Sequence, residues 1–277
     1  KMLSNKIHTL FRLKSKKVVK IIEGDLLNIN LNKIIKKRDL IIHLAAITNA
    51  PDSFKNKKKI FLNNFLSTKK IADVASKKKA KCIFFSSTSV YGSNDKIMYE
   101  DENNLNPQSP YAACKIKEEK YVKKISKSRH LESIILRLGT IFGVSNGMRF
   151  HTAVNKFCYQ AALNKPLTVW KTAYNQKRPY LDLNDAIKCI KFIIKKNLFN
   201  NNIYNVATKN ISTKDLLNNI KKHKKIKINL VSSKIMNQLS YEANCNKIKK
   251  KGFKFSGNLN KQIKHTIGLF TNIKNEV

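Results

Sequence analysis

Short apolar runs rich in β-branched residues alternate along this chain with longer stretches of helical period. Residues 18–22, 39–46, 82–86 and 133–138 have the length and composition of strands. Between them, residues 31–37, 57–76 and 110–127 place apolar side chains three and four apart, which predicts helices. This repeating strand-helix wind predicts an α/β fold built on a doubly wound parallel sheet. Beyond residue 144 the pattern loosens into a helix, a strand at 167–170, a helix at 184–196, a strand at 203–206 and a helix at 213–222. The expected organisation is a Rossmann-like domain over residues 1–144 and a smaller C-terminal lobe over residues 145–277, with some of its segments returning to the main sheet.

In doubly wound sheets ligands gather where strands end. Here the predicted strand exits read Glu23-Gly24-Asp25, Ala45-Ala46-Ile47-Thr48, Ser86-Ser87-Thr88 and Gly139-Thr140. Small and hydroxyl-bearing residues at every exit leave room for a ligand and donors to hold it. No apolar run approaches the roughly 20 residues that span a bilayer, and the basic N-terminal stretch lacks the apolar core of a secretory signal, so no membrane segment and a cytoplasmic protein are expected.

Charge changes the picture less than its size suggests. The formal net charge is +39, yet only six of the 56 basic residues are Arg, and Lys, Asn and Ile are abundant throughout. Nucleic-acid recognition favours clustered Arg and Lys interleaved with aromatics. Dispersed Lys therefore argues against a nucleic-acid partner, while the charge still draws anionic substrates towards a cleft. Cys82, Cys114, Cys158, Cys189 and Cys245 are widely separated and read as core residues of a reducing compartment, with no metal or disulfide duty.

The chemistry concentrates in two segments. Ser86-Ser87-Thr88-Ser89-Val90-Tyr91-Gly92 leaves one strand, and Ser109-Pro110-Tyr111-Ala112-Ala113-Cys114-Lys115 opens the next helix. Four residues apart, Tyr111 and Lys115 share a helix face. Using a phenol as an acid or base at neutral pH requires lowering its pKa by roughly three units, about 4 kcal/mol of differential stabilisation. The Lys115 ammonium together with the positive ring of an oxidised nicotinamide is a source of it, and Ser87 is placed to donate a hydrogen bond to the same substrate oxygen.

This segment resembles the active-site region of extended short-chain dehydrogenases/reductases, the NAD-dependent epimerase/dehydratase family that includes UDP-galactose 4-epimerase. The resemblance extends along nearly the whole chain. It implies Ser87, Tyr111 and Lys115 as catalytic residues. It implies cofactor contacts from Asp25 and Leu26 in Glu23-Gly24-Asp25-Leu26, from Leu44, Ala45, Ala46 and Thr48 after His43, and from Asn64, Ser86, Tyr111, Lys115, Leu138 and Gly139. His43 itself reads as structural.

For the substrate the resemblance implies Thr88, Thr140, Arg149, Asn155, Arg178 and Tyr180. Arg178 lies in Arg-Pro-Tyr-Leu-Asp-Leu-Asn-Asp and corresponds to a diphosphate-gripping Arg, whereas Thr140 stands where most members carry Asn. The family's G-x-x-G-x-x-G strand-turn and the acidic residue that reads the ribose are not in the sequence, whose first strand matches the family's third. An N-terminally incomplete copy is the expectation, and NAD is expected with NADP left open. Residues 232–242 lack the Arg and Asp pair that many epimerases use for the nucleotide.

The activity implied is oxidation of a hydroxyl on a nucleotide-sugar and re-reduction of the keto intermediate, an epimerisation. Alternatives are a keto-sugar reductase, or an impaired relative acting as a binding scaffold. Thr88-Ser89 stands where 4,6-dehydratases carry Asp-Glu. A homodimer through the helices at 57–76 and 110–127 is implied by the same resemblance.

Overall fold

A computed structural model describes residues 19–48, 52–93, 96–232 and 240–272. Its centre is a four-stranded parallel sheet in the order β1 (Leu40–His43), β2 (Lys81–Ser87), β4 (Ser133–Leu138), β8 (Ile203–Val206). Strands β2, β4 and β8 are largely apolar, as strands covered on both faces must be: Ile83, Ile134, Leu136, Tyr204 and Val206 are fully buried.

Helices cover both faces. On one side lie α1 (Leu31–Ile34), the run of α2 (Lys57–Ile60) and α3 (Leu66–Lys78), and α4 (Pro110–Arg129), which pack Ile71, Ala72, Ala75, Val122 and Ile125 onto Cys82, Phe84 and Ile135. On the other side, α6 (Leu183–Lys195) and the short α8 (Asn246–Lys249) bring Ala186, Cys189, Ile193 and Ile248 against Ile83, Ile134 and Leu136. The C-terminal half thus returns to the main sheet through α6 and β8. Its remaining core joins α5 (Ala153–Ala162), α7 (Thr213–Lys221) and α9 (Leu259–Asn272) around Phe142, Phe157, Leu167 and Ile263.

Small sheets complete that half. Strands β5 (Thr140–Phe142), β7 (Lys177–Asp182) and β9 (Lys209–Ser212) form one, β6 (Leu167–Trp170) pairs with β10 (Ile228–Val231), and β3 (Ile97–Met98) with β11 (Glu242–Ala243). The strand spans at 133–138, 167–170 and 203–206 match the sequence pattern residue for residue.

The strand expected at 18–22 is a correction. Val18 lies outside the described residues, and residues 19–22 are not a strand. A strand exists through a neighbour's ladder of hydrogen bonds, and among the described residues nothing pairs with 19–22. Val19 and Ile22 are 40% and 46% exposed, and β1, which among the described residues pairs with β2 alone, leaves Leu40 and Ile42 each 39% exposed. The basic N-terminal stretch up to residue 18, and residues 233–239 of the stretch at 232–242, lie outside the described residues. No described helix is long and apolar enough to cross a membrane.

One buried ion pair fastens α4 to the sheet. Arg137 on β4 meets Glu119 through Nε at 2.9 Å and Nη2 at 2.7 Å, with both side chains at 5% exposure or less. Ser86 also donates to Glu119, at 2.5 Å, and Arg137 Nη1 reaches the Tyr91 hydroxyl at 3.0 Å. Removing one member strands a charge in the interior. Arg137→Met is therefore expected to lower unfolding free energy by about 3–5 kcal/mol, and Arg137→Met combined with Glu119→Leu to recover much of that loss. Urea denaturation of the two variants measures both.

Candidate active site

The exit of β1 is held by Asn64, a side chain that the sequence places near the cofactor and the active-site strand. Asn64 sits in a π-helical turn, Phe61–Phe65, between α2 and α3, a local widening that turns a side chain out of the helical ladder. Its Oδ1 accepts the Ile47 N–H at 2.8 Å and its Nδ2 donates to the Ile47 carbonyl at 2.9 Å. This two-point clamp fixes the path of Leu44, Ala45, Ala46 and Thr48. Leu44 is 70% exposed, Ala45 is also open, and Ala46 and Thr48 are half-buried. His43, by contrast, is buried with its ring edge-on to Phe84, as its structural reading requires.

Asp25 and Leu26 sit in the turn before α1. Asp25 is exposed and its Oδ1 accepts the Leu27 N–H at 2.9 Å, while Lys70 of α3 donates to the Leu27 and Ile29 carbonyls at 2.6 and 2.7 Å, tying that turn to the helix.

At the β2 exit, Ser86 is committed to Glu119, so its hydroxyl serves the buried network. Ser87 is half-buried and caps the short 3-10 turn Thr88–Tyr91. Its Oγ accepts from the Ser89 N–H at 3.2 Å and the Ser89 hydroxyl at 2.9 Å, which leaves its own proton to donate. Thr88 is buried, donating to the Leu138 carbonyl at 3.3 Å and accepting the Tyr241 hydroxyl at 3.0 Å.

Tyr111 and Lys115 stand in the first turns of α4, started by the Ser109 cap and Pro110. The Tyr111 backbone N–H bonds Ser53 Oγ at 3.3 Å. Lys115 Nζ lies 5.8 Å from the Tyr111 ring centroid and only 2.8 Å from Glu118 Oε2.

That second distance changes the electrostatics. From the motif alone, Lys115 should pull the Tyr111 pKa down. Instead it is raised: burial is the largest cause and the Glu118 charge adds to it, outweighing Lys115 and Arg149. Burial pulls the Lys115 pKa down, but the Tyr111 and Glu118 charges more than reverse it, so the ammonium is held. Glu118 was missed by sequence reasoning. The available signal was a carboxylate three residues after Lys115 on a buried helix face.

The exit of β4 meets the C-terminal lobe. A Cβ at Gly139 would come within 2.9 Å of the Pro179 carbonyl oxygen, so glycine is what lets β4 approach β7 so closely. Leu138 and Thr140 flank it half-buried, and Thr140 pairs with Tyr180 across β5 and β7. Tyr180 is 1% exposed within the lobe's core, while Arg178, two residues earlier, is half-buried with its charge felt at Tyr180 and Tyr241. Tyr241 is the second residue missed. Burial pushes its phenol up to about 12, and no motif marked it.

Arg149 Nη1 donates to Thr48 Oγ1, linking the loop before α5 to the β1 exit. Asn155 is buried and braces that loop, accepting from the Gly143 N–H at 3.3 Å and donating to the Arg149 carbonyl at 3.1 Å. The residues read from sequence thus fall into three joined groups: the β1 exit with Asn64 and Arg149, the β2 exit with Tyr111 and Lys115, and the β4 exit with Arg178. Asp25 and Leu26 stand apart in their own turn.

The model of the NAD dependent epimerase/dehydratase family matches residues 3–207. A dTDP-D-glucose 4,6-dehydratase of Dictyostelium discoideum is 32% identical over 203 residues, covering 68% of this chain and 46% of the relative. A UDP-glucose epimerase of Bacillus subtilis, itself uncharacterised, is 28% identical over 197 residues, covering 70% of this chain and 60% of the relative. The chain therefore spans about half the length of the curated relatives it matches.

Among solved structures, the UDP-N-acetylglucosamine 4-epimerase of Methanobrevibacter ruminantium M1, in complex with UDP-N-acetylmuramic acid, superposes with a TM-score of 0.80 at 25% identity over 92% of this chain and 83% of its own. The UDP-glucuronic acid 4-epimerase of Bacillus cereus, at 24% identity, shares the fold with a TM-score of 0.84 over 94% of this chain and 85% of its own. With a family model that matches residues 3–207, the chain belongs to the NAD dependent epimerase/dehydratase family.

Proposed function

We propose that this chain carries the catalytic residues of an NAD-dependent nucleotide-sugar epimerase, which oxidises a sugar hydroxyl and re-reduces the keto intermediate. The observation that carries this reading is that Tyr111 and Lys115 share one buried turn of α4, a helix that packs on β2 and on the turn that Ser87 caps. Ser87 holds the sugar oxygen with its free proton, and Tyr111 takes the hydroxyl proton and later returns it. NAD, when bound, would supply the hydride acceptor in one half-reaction and the donor in the other.

The donor set suits that cofactor: Lys115 spends one N–H on Glu118 and keeps two, and Asn64 holds the backbone of Ile47 beside the exposed Leu44 and Ala45. Lys115 brings a cation towards the phenol, and a positively charged nicotinamide ring would add to it. Arg149 and Arg178 offer planar forks for the diphosphate. Asn155 acts by holding the Arg149 loop, and Tyr180 by packing beneath Arg178.

Dehydration is less well supported. Thr88, where dehydratases carry an acid, is bonded to Leu138 and Tyr241, and its neighbour Ser89 to Ser87, so neither offers a carboxyl group. A one-way keto-sugar reductase would use the same three catalytic residues. The boundary near residue 144 divides a cofactor-binding part from a mostly substrate-binding part. A homodimer through α2, α3 and α4 is supported by Phe61 and Leu62, 36% and 41% exposed on that side. The five cysteines, all buried and free, suit the reducing cytoplasm.

Three outcomes are expected of the full-length protein. Tyr111→Phe removes only the transferable proton, so turnover of UDP- and dTDP-sugars should fall at least 100-fold with the circular dichroism spectrum unchanged; retention of most of the rate would remove Tyr111 from the acid/base role. Arg178→Ala should weaken substrate binding on the order of 30- to 1,000-fold, with kcat falling less and Arg178→Lys recovering part of the loss. Steady-state kinetics over a panel of UDP-, dTDP-, GDP- and CDP-sugars reads this. Sedimentation at micromolar concentration should give a dimer, and charged substitutions at Phe61 and Leu62 a monomer.

A further inference from the structure

The Lys115 ammonium is shared. It faces the Tyr111 ring on one side and Glu118 on the other, and the Lys115 and Glu118 side chains are only 5% and 7% exposed. A buried ion pair persists only when further hydrogen bonds satisfy its atoms, and Glu118 collects them. Thr68 on α3 donates its hydroxyl to Glu118 Oε2 at 2.9 Å, and the Cys114 thiol lies 3.5 Å from Oε1. Thr68 has one proton and gives it to Glu118, so the 3.1 Å contact between Thr68 Oγ1 and His43 Nε2 is a donation from His43. Three elements, β1, α3 and α4, thereby orient one carboxylate towards the site's lysine.

We propose that Glu118 is a positioning residue of this active site: it fixes the Lys115 ammonium and offsets its field at Tyr111, and so sets the pH range in which Tyr111 exchanges its proton. The inference rests on the acid/base reading of Tyr111 and Lys115 given above. Without Glu118, Lys115 would be an unopposed cation beside the phenol. With Glu118, the pair presents a dipole to Tyr111, and the cation needed to activate the phenol must come in larger part from the bound ligand.

The other groups around this cluster do not supply the same control. Cys114 is held as a thiol, its pKa pushed up to about 12 by burial and Glu118. Burial and the Lys115 charge lower His43 to about 4, so it is neutral at pH 7. Arg149, facing Tyr111 from the loop before α5, is a permanent cation. The Lys115 and Glu118 pair is therefore the adjustable element.

Removing the Glu118 charge favours the phenolate, so Tyr111 should lose its proton at lower pH; removing the Lys115 charge should do the opposite. The test is a pH titration of tyrosinate absorbance on the ligand-free chain, with each variant compared against its own Tyr111→Phe counterpart to isolate one phenol. Glu118→Gln is expected to lower the midpoint by about one pH unit or more, and Glu118→Asp, which keeps the charge, to hold it near the parent's. Lys115→Gln is expected to raise it, which provides an independent arm should Glu118→Gln fail to fold. In the active enzyme, Glu118→Gln should move the ascending limb of the kcat profile to lower pH with KM little changed. An unmoved midpoint in folded Glu118→Gln, or in folded Lys115→Gln, overturns the proposal. Because the titration needs no turnover, its failure is separable from that of the epimerase reading, which falls if Tyr111→Phe stays active.

Discussion

The two adjacent carboxylates of α4 are the constraint on which this structure turns. Glu118 and Glu119 point from one helix into the interior, and each holds a buried cation: Lys115 on the helix itself and Arg137 on β4. Neither acid would be tolerated there alone, because an unpaired interior charge costs several kcal/mol. Paired, they fix where α4 sits against the sheet and where its first turns, bearing Tyr111 and Lys115, stand relative to the β2 exit. Ser86 and Thr68 complete the coordination from neighbouring elements. The same helix thus carries the fold's strongest polar anchor and the site's chemistry.

The rest of the site is arranged by backbone clamps. Asn64 grips both polar groups of Ile47, Asn155 grips the Gly143 N–H and the Arg149 carbonyl, and Gly139 lets β4 come within contact of Pro179. These contacts hold loops at three strand exits. Arg149 bonding Thr48 draws the C-terminal lobe towards the first exit. The abundance of Lys contributes little to this framework; the ion pair joining β4 to α4 and the site's candidate forks use Arg, whose planar guanidinium meets two acceptors at once.

What the sequence by itself determined was whatever depends on local periodicity and on motif order: the alternating wind, the buried strands at 133–138 and 203–206, the helix opened by Ser109 and Pro110, and the pairing of Tyr111 with Lys115 on one face. Those features follow from side-chain spacing and capping, which are properties of neighbouring residues. Three matters were decided only by tertiary structure. Residues 19–22 have strand composition and no strand, because a ladder needs a partner that composition cannot name. Tyr180, motif-matched to the substrate, is packed into the lobe's core while Arg178, two residues earlier on the same face, stays half-exposed, since β7 runs inward from the surface and its burial rises from Lys177 to Asp182. And the proton affinity of Tyr111, expected to fall beside Lys115, rises instead, because burial and a carboxylate one turn further on act through a low-dielectric interior that exists only once the helix is packed.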